Sequence, residues 1–234
     1  MKHTAAARKR GRPIDTQLVA QRREDILNVA ARLFAKHGYA ETDTQLLADK
    51  LQVGKGTIYR YYPSKAILFH AAVARGMDRL RERIERDTAP IADPLERIQQ
   101  AILSFLLHFV EDQYLAELFV QELACFKDKR KPAYFAHHDL YAAPWRELYR
   151  SMIAQGRVRP LPETPQYNVV HELLYGTIIA NHALGRRDSA RDQARRIIDI
   201  VFHGILPRSE RHANDATPPA NNHQPLRNKR KHLQ

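Results

Sequence analysis

The chain has 234 residues, a single cysteine (Cys125) and a formal net charge of +12. One cysteine excludes an intrachain disulfide and fits a reducing compartment, and the longest apolar runs fall well short of a bilayer span, so a cytoplasmic protein is expected. The charge is unevenly placed: residues 1–13 carry five cations and no acid, residues 207–234 carry six Lys/Arg and two acids, and the stretch between is close to neutral. A nearly neutral globule with basic ends suits an anionic partner, most simply nucleic acid, although such ends also serve solubility.

Residues 1–21 are expected to form a flexible basic arm. Within it, RKRGRP (residues 8–13) carries Arg10 and Arg12 around a glycine, the core of segments that lie in the narrow minor groove of A·T-rich DNA. The plainer reading is an arm that touches phosphates. Residues 25–36 place Ile26, Ala30, Leu33 and Phe34 on one helical face, and Gly38 ends that helix. Thr42 then begins a short helix, with Gln45 three residues on to complete a capping box and Leu46, Leu47 and Leu51 facing inward. A turn at Gln52-Val53 leads to a second short helix over 54–61. Pro63 stops it, and Ser64 caps a long helix reaching about Asp87.

Asp93-Pro94 opens a helix over 95–111, and others are expected over 113–126, over 132–155 with an interruption near Pro144, over 167–184 and over 189–206. No strand alternation and no repeat is found, so the expectation is an all-α fold of about nine helices. Its domains are residues 22–68, residues 69–206, and a basic tail over 207–234 whose Pro, Asn and His content predicts disorder.

GKGTIYRYYPSK (residues 54–65) holds three tyrosines and three cations without an acid. Three short helices over 25–61 with a tight turn before the last match a helix-turn-helix, whose last helix enters the DNA major groove. Gly54 and Gly56 thin that helix, Lys55, Thr57, Tyr59 and Arg60 offer donors, and Ile58 points inward. A nucleotide-binding loop is the alternative. It would need a glycine four residues further upstream and a preceding strand, and the sequence has neither.

Residues 26–73 resemble the TetR family of transcriptional regulators, through LFAKHGY in the first helix, the segment GTIYRYYPSK, and Leu68. The resemblance implies DNA contact by Lys55, Gly56, Thr57, Tyr59, Arg60 and Tyr61, phosphate contact by Lys65 and Thr42, and Thr44 and Gln45 near the backbone or bases. Three departures stand out: Gln52 where the turn often carries glycine, Tyr61 where histidine is common, and Tyr62 where phenylalanine is common.

The resemblance also implies that the C-terminal helices form a homodimer and bind a small-molecule effector. YNVVHELLYGTIIANHAL (residues 167–184) is apolar or small nearly all round, as in a helix buried on two sides. With the helix after it, the expected dimer face is Leu173, Gly176, Thr177, Ala180, Ile197, Val201 and Ile205. Candidate pocket walls are Phe105, Phe109, Phe119, Phe126, Trp145, Tyr149 and Tyr175, with Tyr134 and Phe135; aromatic side chains at this spacing equally suit a core. No His/Cys/Asp spacing is diagnostic of a metal, no cofactor is expected, and nothing singles out a nucleophile–base pair for an enzyme. The function expected is a ligand-responsive repressor of a palindromic operator. The alternative is an architectural DNA-binding protein acting through its tails.

Overall fold

Ile26, Ala30, Leu33 and Phe34 are all buried, and they seat the first helix on the rest of the chain. The computed structural model describes residues 16–126, 131–159 and 163–204, with only the backbone for 163–168. Residues 1–15, with Arg10 and Arg12, and residues 205–234, with Ile205 and the tail, lie outside the described residues. Among the described residues there are ten helices and no strand: α1 (Thr16–Glu41), α2 (Thr44–Lys50), α3 (Lys55–Tyr61), α4 (Lys65–Thr88), α5 (Pro94–Glu111), α6 (Gln113–Phe126), α7 (Ala133–Tyr141), α8 (Ala143–Ala154), α9 (Glu163–Ala183) and α10 (Ala190–His203). The all-α expectation holds. The tenth helix arises because 132–155 divides at Ala142, with Pro144 in the first turn of α8.

Three local readings change. α1 begins at Thr16, inside the expected arm, because TQLVAQRRE is built of good helix formers although it has little apolar face to betray it. The cap of α2 is Asp43, whose carboxylate accepts the Gln45 N–H at 2.8 Å. Thr42 instead donates its hydroxyl to the Gly38 carbonyl at 2.6 Å, and the Gln45 amide bonds Asp49 at 2.7 Å, so there is no capping box.

Gly38 breaks α1 at φ 82, ψ 157, a conformation open to glycine alone. Gln52 takes φ 53 in the turn before α3, so the non-glycine there adopts the left-handed conformation that the turn requires.

α4 is the spine. Ser64 caps it by accepting the Ile67 N–H at 3.2 Å, and Leu68, Phe69, Val73, Met77 and Leu80 bury its inner face. Arg75 pairs with Glu24 at 2.8 Å, and Arg79 bonds both Glu24 and Asn28, which fastens α4 along α1. Gly76 lets α4 approach α6: a Cβ there would stand 2.6 Å from Leu115 Cδ1. Asp93 caps α5 through the Leu95 and Glu96 N–H groups, both at 3.0 Å, and its other oxygen takes Arg157 at 2.5 Å. Ala190, Ala194 and Ile197 seat α10 on the core. No helix among the described residues is long and apolar enough to cross a membrane.

Candidate nucleic-acid interface and effector cavity

α2, the turn at Gln52 and α3 form the helix-turn-helix. Ile58 is buried and fixes the inner face of α3, and Tyr62 is turned inward behind it. Gly54, Gly56, Tyr59 and Arg60 are exposed, and Lys55, Thr57 and Tyr61 partly so. The Arg60 guanidinium lies over the Tyr61 ring at 5.4 Å. The Lys55 ammonium reaches the cap carboxylate of Asp43 at 3.2 Å. The Gln45 N–H and Lys55 hold that carboxyl below its ordinary range. Asp43 was not anticipated from the sequence. Its signal was the Asp directly before TQLLADK, a cap residue one place after the one chosen.

Three expected DNA-contacting side chains are committed internally. Thr42 is buried, and its hydroxyl serves the carbonyls of Gly38 and Leu33, so it drops out as a side-chain phosphate contact. Thr44 is also buried, and its hydroxyl meets the Tyr59 hydroxyl at 3.1 Å; it orients the tyrosine rather than presenting itself. The Lys65 ammonium donates to the carbonyls of Ala40 at 2.8 Å and Thr42 at 3.2 Å and lies 4.9 Å from the Tyr39 ring centre. Two of its three N–H groups thus close the corner between α1 and α2, which leaves one for a phosphate. Gln45 remains exposed.

Behind this module, a cavity of about 420 Å³ opens between α4, α5, α7, α8 and α9. Phe105, Tyr134 and Trp145 line it, together with α4 residues Met77, Leu80, Arg81 and Ile84. Tyr149 lines a smaller adjoining space of about 70 Å³ that shares Phe105, Trp145 and His171. The other aromatic candidates fall elsewhere. Phe119 is core, and Tyr175 packs against it, Tyr134 and Phe135. Phe109 faces a separate, more polar hollow of about 470 Å³ near the α9–α10 turn. Phe126 stacks on Phe69 at 5.5 Å and meets Tyr39 at 4.8 Å, at the junction with the DNA-binding module. Aromatic spacing identified apolar faces but could not tell a wall from a core.

The cavity against α4 also has a polar side that the aromatic spacing does not signal. His137, His138 and His171 line it, with Arg81 and Arg97. Burial pushes His171 down to about 3 and lowers His137 and His138, so the three rings are neutral near neutral pH. Tyr134 donates its hydroxyl to the His171 carbonyl at 3.0 Å, and the His138 and His171 rings meet edge-on at 4.2 Å. Among the described residues no group of three or more His, Cys, Asp or Glu is arranged to hold a metal ion. Arg97 was legible in principle, since Ala101 and Phe105 follow it at helical spacing on the face that lines the cavities.

On the far side, α9 exposes Leu173 and Gly176, with Thr177 and Ala180 partly exposed; Val169 extends the stripe. Ile197 does not join them. It is 8% exposed and packs into the protomer's own core, because α10 turns that face toward α5. Val201 is partly buried against the same core. Ile200, overlooked in the sequence, is 53% exposed and is the apolar residue that α10 offers outward.

Residues 26–72 match the family described as "Bacterial regulatory proteins, tetR family". The chain is 34% identical over 97 residues to the HTH-type transcriptional repressor KstR of Rhodococcus jostii, a match spanning 42% of this chain and 45% of that protein. A longer match, 32% identical over 198 residues, covers 85% of this chain and 94% of the uncharacterized HTH-type transcriptional regulator Mb1581 of Mycobacterium bovis. In fold it is similar to the regulator FadR from Bacillus subtilis, solved in complex with stearoyl-CoA, with a TM-score of 0.66 at 16% identity over 78% of this chain and 99% of that one. With the helix-turn-helix in place and a relative matched along nearly its whole length, the chain belongs to the TetR family and is a DNA-binding transcriptional regulator, not an enzyme.

Proposed function

We propose that this protein is a cytoplasmic repressor that binds a palindromic operator as a homodimer and is released when a small molecule fills the cavity between α4 and α8. The observation that carries the reading is the continuity of α4. Its capped start at Ser64 adjoins the recognition helix, and Met77, Leu80, Arg81 and Ile84 further along it form a cavity wall. A ligand that shifts this wall shifts the base of the DNA-binding module. Lys55, Gly56, Thr57, Tyr59, Arg60 and Tyr61 are the proposed reading face, with Gln45 at its edge and Arg10 and Arg12 reaching the flanking minor groove. The α9 stripe, with Ile200, is the proposed dimer face.

A footprint over the DNA upstream of the protein's own gene tests this. Short, palindromic protection is expected. Long coverage regardless of sequence would replace the reading with an architectural protein acting through its basic ends. Removing residues 1–13 should weaken binding most where the operator is flanked by A·T-rich DNA. Equal loss on G·C-rich flanks would leave the arm an electrostatic role alone.

A further inference from the structure

The cavity against α4 holds a permanent charge that no acid among the described residues answers. Arg97 lies in the first turns of α5, and its Nε is shut off from solvent without a hydrogen-bond acceptor. Its side chain makes no ion pair or hydrogen bond among the described residues. A guanidinium cannot lose its proton to escape this position. Arg81, the other cation on the wall, also has a buried Nε without an acceptor, but its terminal nitrogen is engaged. It is bound to Glu85 at 2.8 and 2.9 Å and lies over the Tyr141 ring at 5.0 Å. Glu85 is therefore engaged, and it is the only carboxylate on the cavity wall among the described residues. The three histidines, held neutral by burial, add hydrogen-bonding capacity without adding charge. Thr88, Tyr134 and Tyr141 add hydroxyls, and Leu80, Ile84, Phe105, Trp145 and Leu148 give the wall its apolar side.

We propose that the cavity takes an amphipathic organic acid, with its anionic head on the Arg97 guanidinium and its apolar body against Phe105, Trp145 and Leu148. This rests on the reading of the cavity as the effector site and adds the chemistry of the effector. The volume, about 420 Å³, equals the bulk volume of about fourteen waters, which suits a compact acid. Carboxylate is the head that best uses a guanidinium, through two parallel N–H···O bonds.

Two fluorescent probes with the same rings separate charge from shape: anilinonaphthalene sulfonate, an anion, and N-phenylnaphthylamine, its neutral counterpart. The chain has a single tryptophan, and Trp145 is on the cavity wall, so energy transfer from it to the probe reports occupancy there. The full chain should bind the sulfonate more tightly than the amine. Arg97→Gln should weaken the sulfonate at least about tenfold and leave the amine within about twofold, while Arg97→Lys falls between. Arg81→Gln should have the smaller effect, because Glu85 already neutralises Arg81. Retained binding of the amine shows that the variant is folded; if Arg97→Gln loses both probes, Arg97→Lys decides. Failure of the wild-type chain to bind the sulfonate, equal loss of both probes in Arg97→Lys, or unchanged sulfonate affinity in Arg97→Gln would each overturn the proposal. No DNA enters the measurement, so its outcome is independent of the footprint that tests the regulator reading.

Discussion

A methyl group at Gly56 would meet nothing inside the protein, because a Cβ built there has no neighbour within 4 Å. Gly56→Ala should therefore stabilise the isolated fold by up to about 1 kcal/mol, the helix-propensity difference. If the backbone of α3 approaches base edges, the same methyl should cost at least about tenfold in operator affinity. A melting curve and an operator titration on one preparation check both; a higher melting temperature with unchanged affinity would move the reading face off Gly56. Tyr59→Phe removes only the hydroxyl that meets Thr44, and should weaken specific binding by about 1–3 kcal/mol if that hydroxyl reads a base. His171 gives a pH signature. Burial holds its pKa at about 3 against an ordinary 6.5. Between those values the unfolded chain takes up a proton that the folded chain refuses. Stability is thus fully present above about 6.5 and falls as pH drops, by up to about 1.4 kcal/mol per unit from this group. His171→Leu should flatten the decline in melting temperature between about pH 7 and pH 5. Parallel curves for variant and wild type would show that the native cavity accepts the proton.

Between elements, α6 joins the two halves of the molecule. Gln121 donates to the Phe34 carbonyl of α1 at 2.9 Å, and Phe126 fills the aromatic cluster beneath the helix-turn-helix. The next residue, Glu122, accepts the Ala133 N–H at the start of α7 at 2.9 Å and faces His70 of α4 at 3.6 Å. α7 in turn carries Tyr134, His137 and His138 of the cavity. Gln121→Ala should cost about 1–3 kcal/mol of stability through the lost buried bond, and should reduce the effect of any cavity ligand on operator affinity. Loss of stability with undiminished ligand response would leave α4 as the sole connection. These links explain what the sequence could and could not reveal. Helices with a strong apolar face, such as α4 and α5, and their caps at Ser64 and Asp93 were legible because periodicity and cap chemistry are local. The start of α1 was not, since its first turns have little buried face. Phe126 and Ile197 were assigned to a pocket and to a dimer face because each is apolar at helical spacing, and only tertiary packing decides which neighbour covers it. The commitment of Thr42 and Lys65 to backbone carbonyls is likewise invisible until α1, α2 and α4 meet.

For the whole molecule, the proposed dimer sets the geometry of control. Two recognition helices must enter major grooves on one face of the DNA, so their separation has to match the helical repeat or a multiple of it. The stripe of Val169, Leu173, Gly176, Thr177 and Ala180 follows the spacing of one helix face, and its small residues allow a partner helix to come close. Leu173→Glu should place a charge in that contact; sedimentation should then show monomer, and operator affinity should fall steeply because each monomer holds a single half-site. Persistent dimer would move the interface elsewhere. The same geometry makes the ligand response a matter of spacing: a ligand that tilts α4 changes the separation of the two α3 helices without touching any base-reading residue. Linkage then requires reciprocity, in which operator DNA weakens ligand binding by the same factor as the ligand weakens operator binding. Calorimetric titration of one cavity ligand into the protein, free and bound to operator, measures that factor directly. Equal ligand affinities in the two titrations would mean that cavity and operator are not coupled, and would assign control to the amount of protein or to another partner.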